Sequence, residues 1–186
     1  MVKGFIFSGI LMAVMLSCEG DISLDYKFTD LTVENAENTG DVPVVNTLDS
    51  IPAVAYVIRM NLFPEEVSRS RGRYFDTETP PHNINRPDSI NVFSNIDFDS
   101  EHPAGTSLND YFVIFNHSYL NTSPLSDPYI TNQYSHLFYE NPMPNYADLL
   151  LMELPEESRD FEFTVYMKLA DGTTFSKTTN LIRIYK

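Results

Sequence analysis

The chain has no tryptophan, one cysteine in 186 residues, seven glycines, and 12 basic residues against 26 acidic ones. Each shortage excludes something. A lone cysteine, Cys18, can close no internal disulfide and cannot supply the paired thiolates of a structural zinc site. A formal net charge of −14 argues against nucleic acid as a partner, and against a broad electrostatic hold on an anionic membrane surface. Past residue 18, no apolar run approaches the roughly 20 residues that a spanning helix needs. The chain contains no Gly-x-Ser-x-Gly, no Ser-x-x-Lys and no glycine-rich phosphate loop. Its four histidines, His82, His102, His117 and His136, fall in four separate loop regions, and none pairs at i, i+4. Nothing in these patterns implies a cofactor, and the expectation is a protein that is not an enzyme; the alternative is a catalytic site assembled from distant loops.

What is present begins at the N-terminus. Lys3 precedes an apolar run from Phe5 to Leu16, too short to cross a bilayer, and Met15-Leu16-Ser17-Cys18 gives way at once to Glu19, Gly20 and Asp21. This is the layout of a secretory signal peptide. With cysteine at the cleavage point it resembles a bacterial lipobox, with Met15 where leucine is commoner. The resemblance implies cleavage after Ser17 and diacylation of Cys18; the plainer alternative is an ordinary signal peptide with a chance cysteine. The expected organisation is a signal peptide over 1–17, a lipidated tether over 18–25 and a single domain over 26–186. Cleavage would leave 169 residues with 11 basic and 26 acidic side chains, held to the membrane by the lipid on Cys18. Glu19, Asp21 and Asp25 resemble the export signals of Bacteroidetes surface lipoproteins, which implies an outer-membrane anchor with the domain facing the exterior. An ordinary solvated linker is the alternative.

Thirteen phenylalanines and eleven tyrosines suit strands rather than a helical bundle. Period-two alternation predicts strands over 26–34, 53–62, 90–98, 111–115 and 161–169. Asp171-Gly172 supplies a hairpin turn, and Thr174 to Tyr185 returns. Residues 35–49 and 116–147 read as loops, and 147–154 as a short helix, with a buried strand as the alternative. Residues 64–88 read as irregular because of Pro64, Pro80, Pro81 and Pro87. The fold class expected is all-β, an antiparallel immunoglobulin-like β-sandwich with long loops and at most short helices. The chain also resembles the small surface lipoproteins of Bacteroidetes. The resemblance rests on Met15 to Cys18, on Ile96-Asp97-Phe98, His102-Pro103-Ala104-Gly105 and Leu108-Asn109-Asp110-Tyr111-Phe112, and on the terminal hairpin from Phe163 to Ile184. It implies location and fold but no chemistry.

Four groups of residues qualify as candidate sites. Tyr119, Tyr129, Tyr134, Tyr139 and Tyr146, with Phe138, lie among Asn116, Asn121, Asn132 and Asn141. Aromatic faces beside amides are what a sugar-binding surface uses; the alternative is that the rings pin a long loop to the sandwich. Arg69, Arg71 and Arg73, with Arg59 nearby in sequence, would share one side of an extended segment and meet an anion, unless they pair with the many carboxylates. Asp97, Asp99 and Glu101, with Asn95, alternate so that a strand would point them one way, a weak calcium candidate, since Ser100 stands where an EF-hand loop needs glycine; the alternative is a solvent-facing strand edge followed by a turn that Asp99 and Glu101 cap. Ser50 and Ser89, in Asp49-Ser50-Ile51 and Asp88-Ser89-Ile90, resemble acceptors for O-glycosylation of exported proteins, each expected in a loop just before a strand. The function expected is a non-catalytic surface module that binds a glycan or an envelope protein, or a subunit of a fimbria-like or outer-membrane complex.

Overall fold

The computed structural model describes residues 22–71, 82–116, 121–125 and 146–186. Among them the strands are β1 (Ile22–Glu37), β2 (Val44–Val45), β3 (Ser50–Pro52), β4 (Tyr56–Arg71), β5 (His82–Asn83), β6 (Pro87–Ser94) and β7 (Phe112–Asn116). They continue with β8 (Asn121–Pro124), β9 (Tyr146–Leu151), β10 (Arg159–Phe161), β11 (Phe163–Leu169), β12 (Thr174–Thr178) and β13 (Ile182–Tyr185). One 3₁₀ turn, Ala53–Ala55, leads into β4. The chain is all-β, as its composition predicts. A seven-stranded sheet runs β2-β1-β4-β9-β7-β8, with β5 beside β1; two three-stranded sheets run β10-β13-β3 and β12-β11-β6. Pairing is antiparallel except for β5 on β1 and β3 on β13.

The alternation read from the sequence sets which faces meet. On β11, Phe163, Val165, Met167 and Leu169 are buried while Thr164, Tyr166 and Lys168 face outward. On β4, Tyr56, Ile58, Met60 and Leu62 enter the same core. Rings from the large sheet meet those of the small ones across it: Tyr56 and Phe112 lie 5.1 and 5.9 Å from Phe163, and Phe161 stacks on Phe163 at 5.6 Å. The layers therefore share one core. Each fully buried large side chain in it contributes about 1.5–3 kcal/mol.

Buried and half-buried amides complete the backbone pairing where strands part. Phe28 donates its N–H to Asn85 Oδ1 at 2.8 Å, and Asn85 Nδ2 donates to Phe28 O at 3.0 Å. Asn109 does the same along β6, accepting from Val92 N and donating to Ile90 O. Tyr56 donates its hydroxyl to Asn35, whose amide donates to Asn180 O. Burial pushes the Tyr56 hydroxyl's pKa up, against the opposing effect of Thr179.

Four local expectations are corrected. Residues 64–71 are strand, not irregular chain. Pro64 is tolerated because it sits opposite Phe28, whose backbone N–H and C=O both turn away to Asn85, so this rung exchanges no ladder hydrogen bond and proline's missing donor is not called on. Residues 146–151 are strand β9, the buried-strand alternative and not the preferred short helix. That strand lies between β4 and β7 with Ala147, Asp148, Leu149 and Leu151 buried, so the alternation that would have marked it is lost. The strand expected over 90–98 ends at Ser94, where Ser94 Oγ donates to Ile96 O and bends the chain. The return from Thr174 is not one strand: β12 ends at Thr178, Thr179 Oγ1 takes the N–H of Phe163, and β13 leaves for the other small sheet. The turn itself is as expected, with Gly172 at φ 87° and Asp171 Oδ1 accepting from Thr173 N.

Candidate functional site

A dense polar cluster among the described residues is built on the turn between β6 and β7. Asp97 Oδ1 accepts from Ala104 N, and Asp99 Oδ1 accepts from the N–H groups of Glu101 and His102, each at 2.8 Å. Phe98 N–H donates to His102 O, and Gly105, at φ 77°, lets the chain turn back. An aspartate bonding backbone N–H groups two and three residues on is the local chemistry that closes such a turn. With the turn fixed, His102 lies between two carboxylates: Nδ1 is 3.2 Å from Asp99 Oδ1 and Nε2 is 3.2 Å from Asp110 Oδ2. Its ring is 4.2 Å from that of Tyr111, which in turn packs 5.5 Å from the buried Phe98.

Asp99 and Tyr111 hold each other's protonation state. Desolvation works against the Asp99 carboxylate, but hydrogen bonds from the Tyr111 hydroxyl, from the N–H groups of His102 and Glu101 and from the His102 ring outweigh it, and its pKa lies below the usual range. The Tyr111 pKa is pushed up, first by its hydrogen bond to Asp99, then by desolvation and by the charges of Asp99, Glu101 and Asp110.

A concavity of about 450 Å³ opens beside this cluster, with Asp99, Glu101 and Tyr111 on one side and Leu154, Glu156 and Lys186 on the other. Glu101, Glu156 and Lys186 make no ion pair among the described residues. The hollow thus offers carboxylates, an ammonium group, a phenol ring and an apolar wall, on a turn whose own hydrogen bonds are internally satisfied. A second hollow of about 350 Å³ is more apolar, lined by Val54, Tyr56, Val57, Leu151 and Met152.

The candidates from sequence distribute unevenly. Asp97 and Asp99 bond backbone amides of the turn rather than pointing along one strand face, and no group of three or more carboxylate, histidine or cysteine side chains able to hold a metal occurs among the described residues. Arg59 is not part of a patch with Arg69 and Arg71. It sits in the packed part of β4, with Nε and Nη2 each 2.8 Å from an Asp148 oxygen, Nη2 on Pro43 O, and its guanidinium 4.3 Å over the Tyr146 ring. The bonds to Asp148 raise its pKa, against desolvation. Tyr146 is thus under a cation. Arg69 is on the far part of β4 and pairs with Glu66 through Nε and Nη2 at 3.1 and 2.9 Å; Arg71 ends the strand opposite Ile22. Ser50 is exposed at the start of β3, and Ser89 is half-buried inside β6 opposite Lys168, so both lie in strands and not in preceding loops. Cys18, Arg73, Tyr119, Tyr129, Tyr134 and Tyr139 lie outside the described residues.

In the sequence, His102 belongs to the turn motif His102-Pro103-Ala104-Gly105 and Tyr111 opens the strand expected over 111–115, so their meeting is not announced by either pattern. The signal was there in Asp99-x-x-His102, a spacing at which one carboxylate oxygen can serve both the backbone and the ring of the same histidine.

Residues 28–180 match the family described as a domain of unknown function, DUF5034, and the chain belongs to that family. No curated protein and no solved structure matches the chain.

Proposed function

We propose that this is a lipid-anchored surface protein whose sandwich binds a ligand without transforming it, and that the ligand is a glycan taken up beside Tyr111. The observation that carries the reading is the hollow of about 450 Å³ formed by Asp99, Glu101, Tyr111, Leu154, Glu156 and Lys186. It combines Glu101, Glu156 and Lys186, which make no ion pair among the described residues, with a ring and an apolar wall, the mixture that suits a polyhydroxylated ligand with one C–H face. The same corner argues against catalysis. Both nitrogens of His102 lie against carboxylate oxygens, so neither is turned toward a substrate as a general base would be. The anchor rests on the Met15 to Cys18 pattern, and the outer-membrane, outward-facing location on the acidic residues that follow it.

The assembly reading needs an open sheet edge able to accept a partner's strand. Edge strands β2, β8 and β12 have two, four and five residues, and the outer edge of β6 is bonded by Gly105, Leu108 and the Asn109 side chain. Short or covered edges are the usual protection against strand addition; the outer edge of β4 from Leu62 to Arg71, which has no partner strand among the described residues, is the stretch where the assembly reading would have to act.

The test is a glycan-array screen with the purified domain and its Glu156→Gln and Lys186→Gln variants. The expected result is a defined set of bound glycans, weakened at least about tenfold by each change, the order of one lost charged hydrogen bond at a binding site. Capture of no glycan, together with a reproducible envelope-protein partner in photo-crosslinking on cells, would replace this reading with the assembly one.

A further inference from the structure

The strands β1 and β4 pair along their whole length, from Glu37 opposite Tyr56 to Ile22 opposite Arg71. Among the described residues, β4 has no strand partner beyond Asn61 except β1, and β5 lies beside β1 at Asp25 and Tyr26. Tyr26 and Phe28 are still held in the core, so the rungs that extend past the described body are those from Asp25 opposite Ser68 to Ile22 opposite Arg71. A register shift marks where they begin: Asp25 faces Ser68 and Tyr26 faces Glu66, so Val67 is left unpaired in a bulge. Val67, in that bulge, is an exposed apolar side chain, and Arg69 is 56% exposed.

The charge of this end differs from that of the rest. Residues 22–27 and 64–71 carry three acidic side chains (Asp25, Glu65, Glu66) and three basic ones (Lys27, Arg69, Arg71), whereas the remaining chain has 23 acidic against nine basic. Lys27 is 3.7 Å from Glu65, Arg69 is bonded to Glu66, and His82 Nδ1 is 3.5 Å from Asp25. Each pair is solvent-exposed, so each is weak and can exchange partners. Cys18 precedes Ile22 by four residues, which reach at most about 14 Å even when fully extended.

We propose that the projecting end of the β1–β4 ribbon is the membrane-facing end of the domain, with Arg69 contacting phosphate-bearing lipid headgroups and Val67 the interfacial apolar zone. The inference rests on the lipid-anchor reading and deepens it. A tether this short brings the ribbon end close to the bilayer whatever the body does. An anionic surface repels the strongly acidic body and leaves the neutral end as the part that can approach. There Arg69 can exchange Glu66 for a phosphate, which accepts from a guanidinium in the same two-pronged geometry as a carboxylate. The domain then stands with its ribbon axis away from the membrane, and the concavity at Tyr111 is carried on the body above it.

The experiment uses the lipidated full chain in vesicles of phosphatidylethanolamine and phosphatidylglycerol. A fluorophore is placed at Val67→Cys or at Leu181→Cys, and quenching by lipids carrying a headgroup-level quencher is read. Leu181 is exposed and adjoins Asn180, which bonds Asn35, thirteen residues further along β1 and so roughly 40 Å from Ile22 at about 3.3 Å per residue. The expected result is strong quenching at 67 and little at 181, with Arg69→Glu reducing occupancy of this orientation roughly fivefold, the order expected for one basic residue at an anionic surface. Equal quenching at the two positions, or stronger quenching at 181, in protein whose intact mass includes the lipid would overturn the inference and leave the anchor standing. An intact mass without lipid on Cys18 would overturn both.

Discussion

The two halves of the β1–β4 ribbon are continuous backbone with opposite surroundings. From Tyr56 to Asn61, β4 has β1 on one side and β9 on the other, and Tyr56, Ile58 and Met60 are buried under the small sheets. From Phe63 to Arg69 the pairing with β1 continues but every side chain is exposed. Pairing and packing are thus separable along one strand. The first half of β4 is specified by its own apolar burial and the second by its partner in β1, where Tyr26 and Phe28 are buried in the core opposite Glu66 and Pro64, which is why hydropathy alone ends the strand near Leu62. Stability should be concentrated in the same way, and substitutions across the boundary test how sharply.

The largest effect is expected where the packed half meets the opposing sheets. Phe163 is fully buried against the rings of Tyr56, Phe112 and Phe161. Phe163→Ala removes those contacts and leaves a cavity, and should destabilise the protein by about 3–5 kcal/mol in urea unfolding. A loss below about 1 kcal/mol, outside that range, would mean that the core repacks and that the packed half is less well defined than its ring contacts imply.

At the boundary, Asn85 should matter nearly as much despite being polar. It is buried and supplies both hydrogen bonds to the backbone of Phe28, on the rung where Pro64 sits. Asn85→Ala leaves a buried N–H and C=O without partners, an expected cost of about 1–3 kcal/mol. If the boundary is where register is fixed, the variant should also accelerate amide exchange throughout residues 63–69 while leaving 57–61 slow. Uniform acceleration would make the two halves one cooperative unit.

The packed half was legible from sequence and the rest was not, for reasons that differ residue by residue. Phe163 to Leu169 alternates cleanly because one face of β11 is core and the other solvent. β9 lost its alternation because the outward position is taken by Asp148, buried and paired with Arg59, a match made across 89 residues that no local pattern announces. Pro64 read as a breaker because the rung that tolerates it is defined by Asn85, far along the chain. At the candidate site the turn residues were visible, and Asp99 as a capping group with them. Tyr111 read as the start of a strand, and its approach to Asp99 depends on where β7 re-enters the sheet. The aromatic group from Tyr119 to Tyr139 falls outside the described residues.

Acid should expose the contribution of the corner that closes the packed half. The folded-state pKa of Asp99 is depressed, by the bonds from Tyr111, His102 and Glu101 that overcome its desolvation. A depressed carboxylate contributes stability that is present above its unfolded value, about 3.9, and is lost as pH falls through the lower folded value. Urea midpoints should therefore decline below about pH 4, and Asp99→Asn should flatten that decline while lowering the plateau at neutral pH. An unchanged acid limb in the variant would show that the decline belongs to other carboxylates.

The smallest effect is expected on the projecting half itself. Val67 lies in the bulge, is exposed, and pairs with nothing in β1. Val67→Ser removes apolar surface that water already reaches, so urea unfolding should shift by no more than about 0.5 kcal/mol. The same change should nevertheless weaken retention of the lipidated protein in its docked orientation, because a valine at an interface has apolar area to bury and a serine has almost none. The pairing of a silent stability measurement with an altered membrane orientation is what distinguishes a side chain kept for contact from one kept for folding. A shift above about 1 kcal/mol, twice what such a surface site ordinarily shows, would instead mean that Val67 packs against the body, and the ribbon end would then be part of the core's stability rather than free to face the membrane.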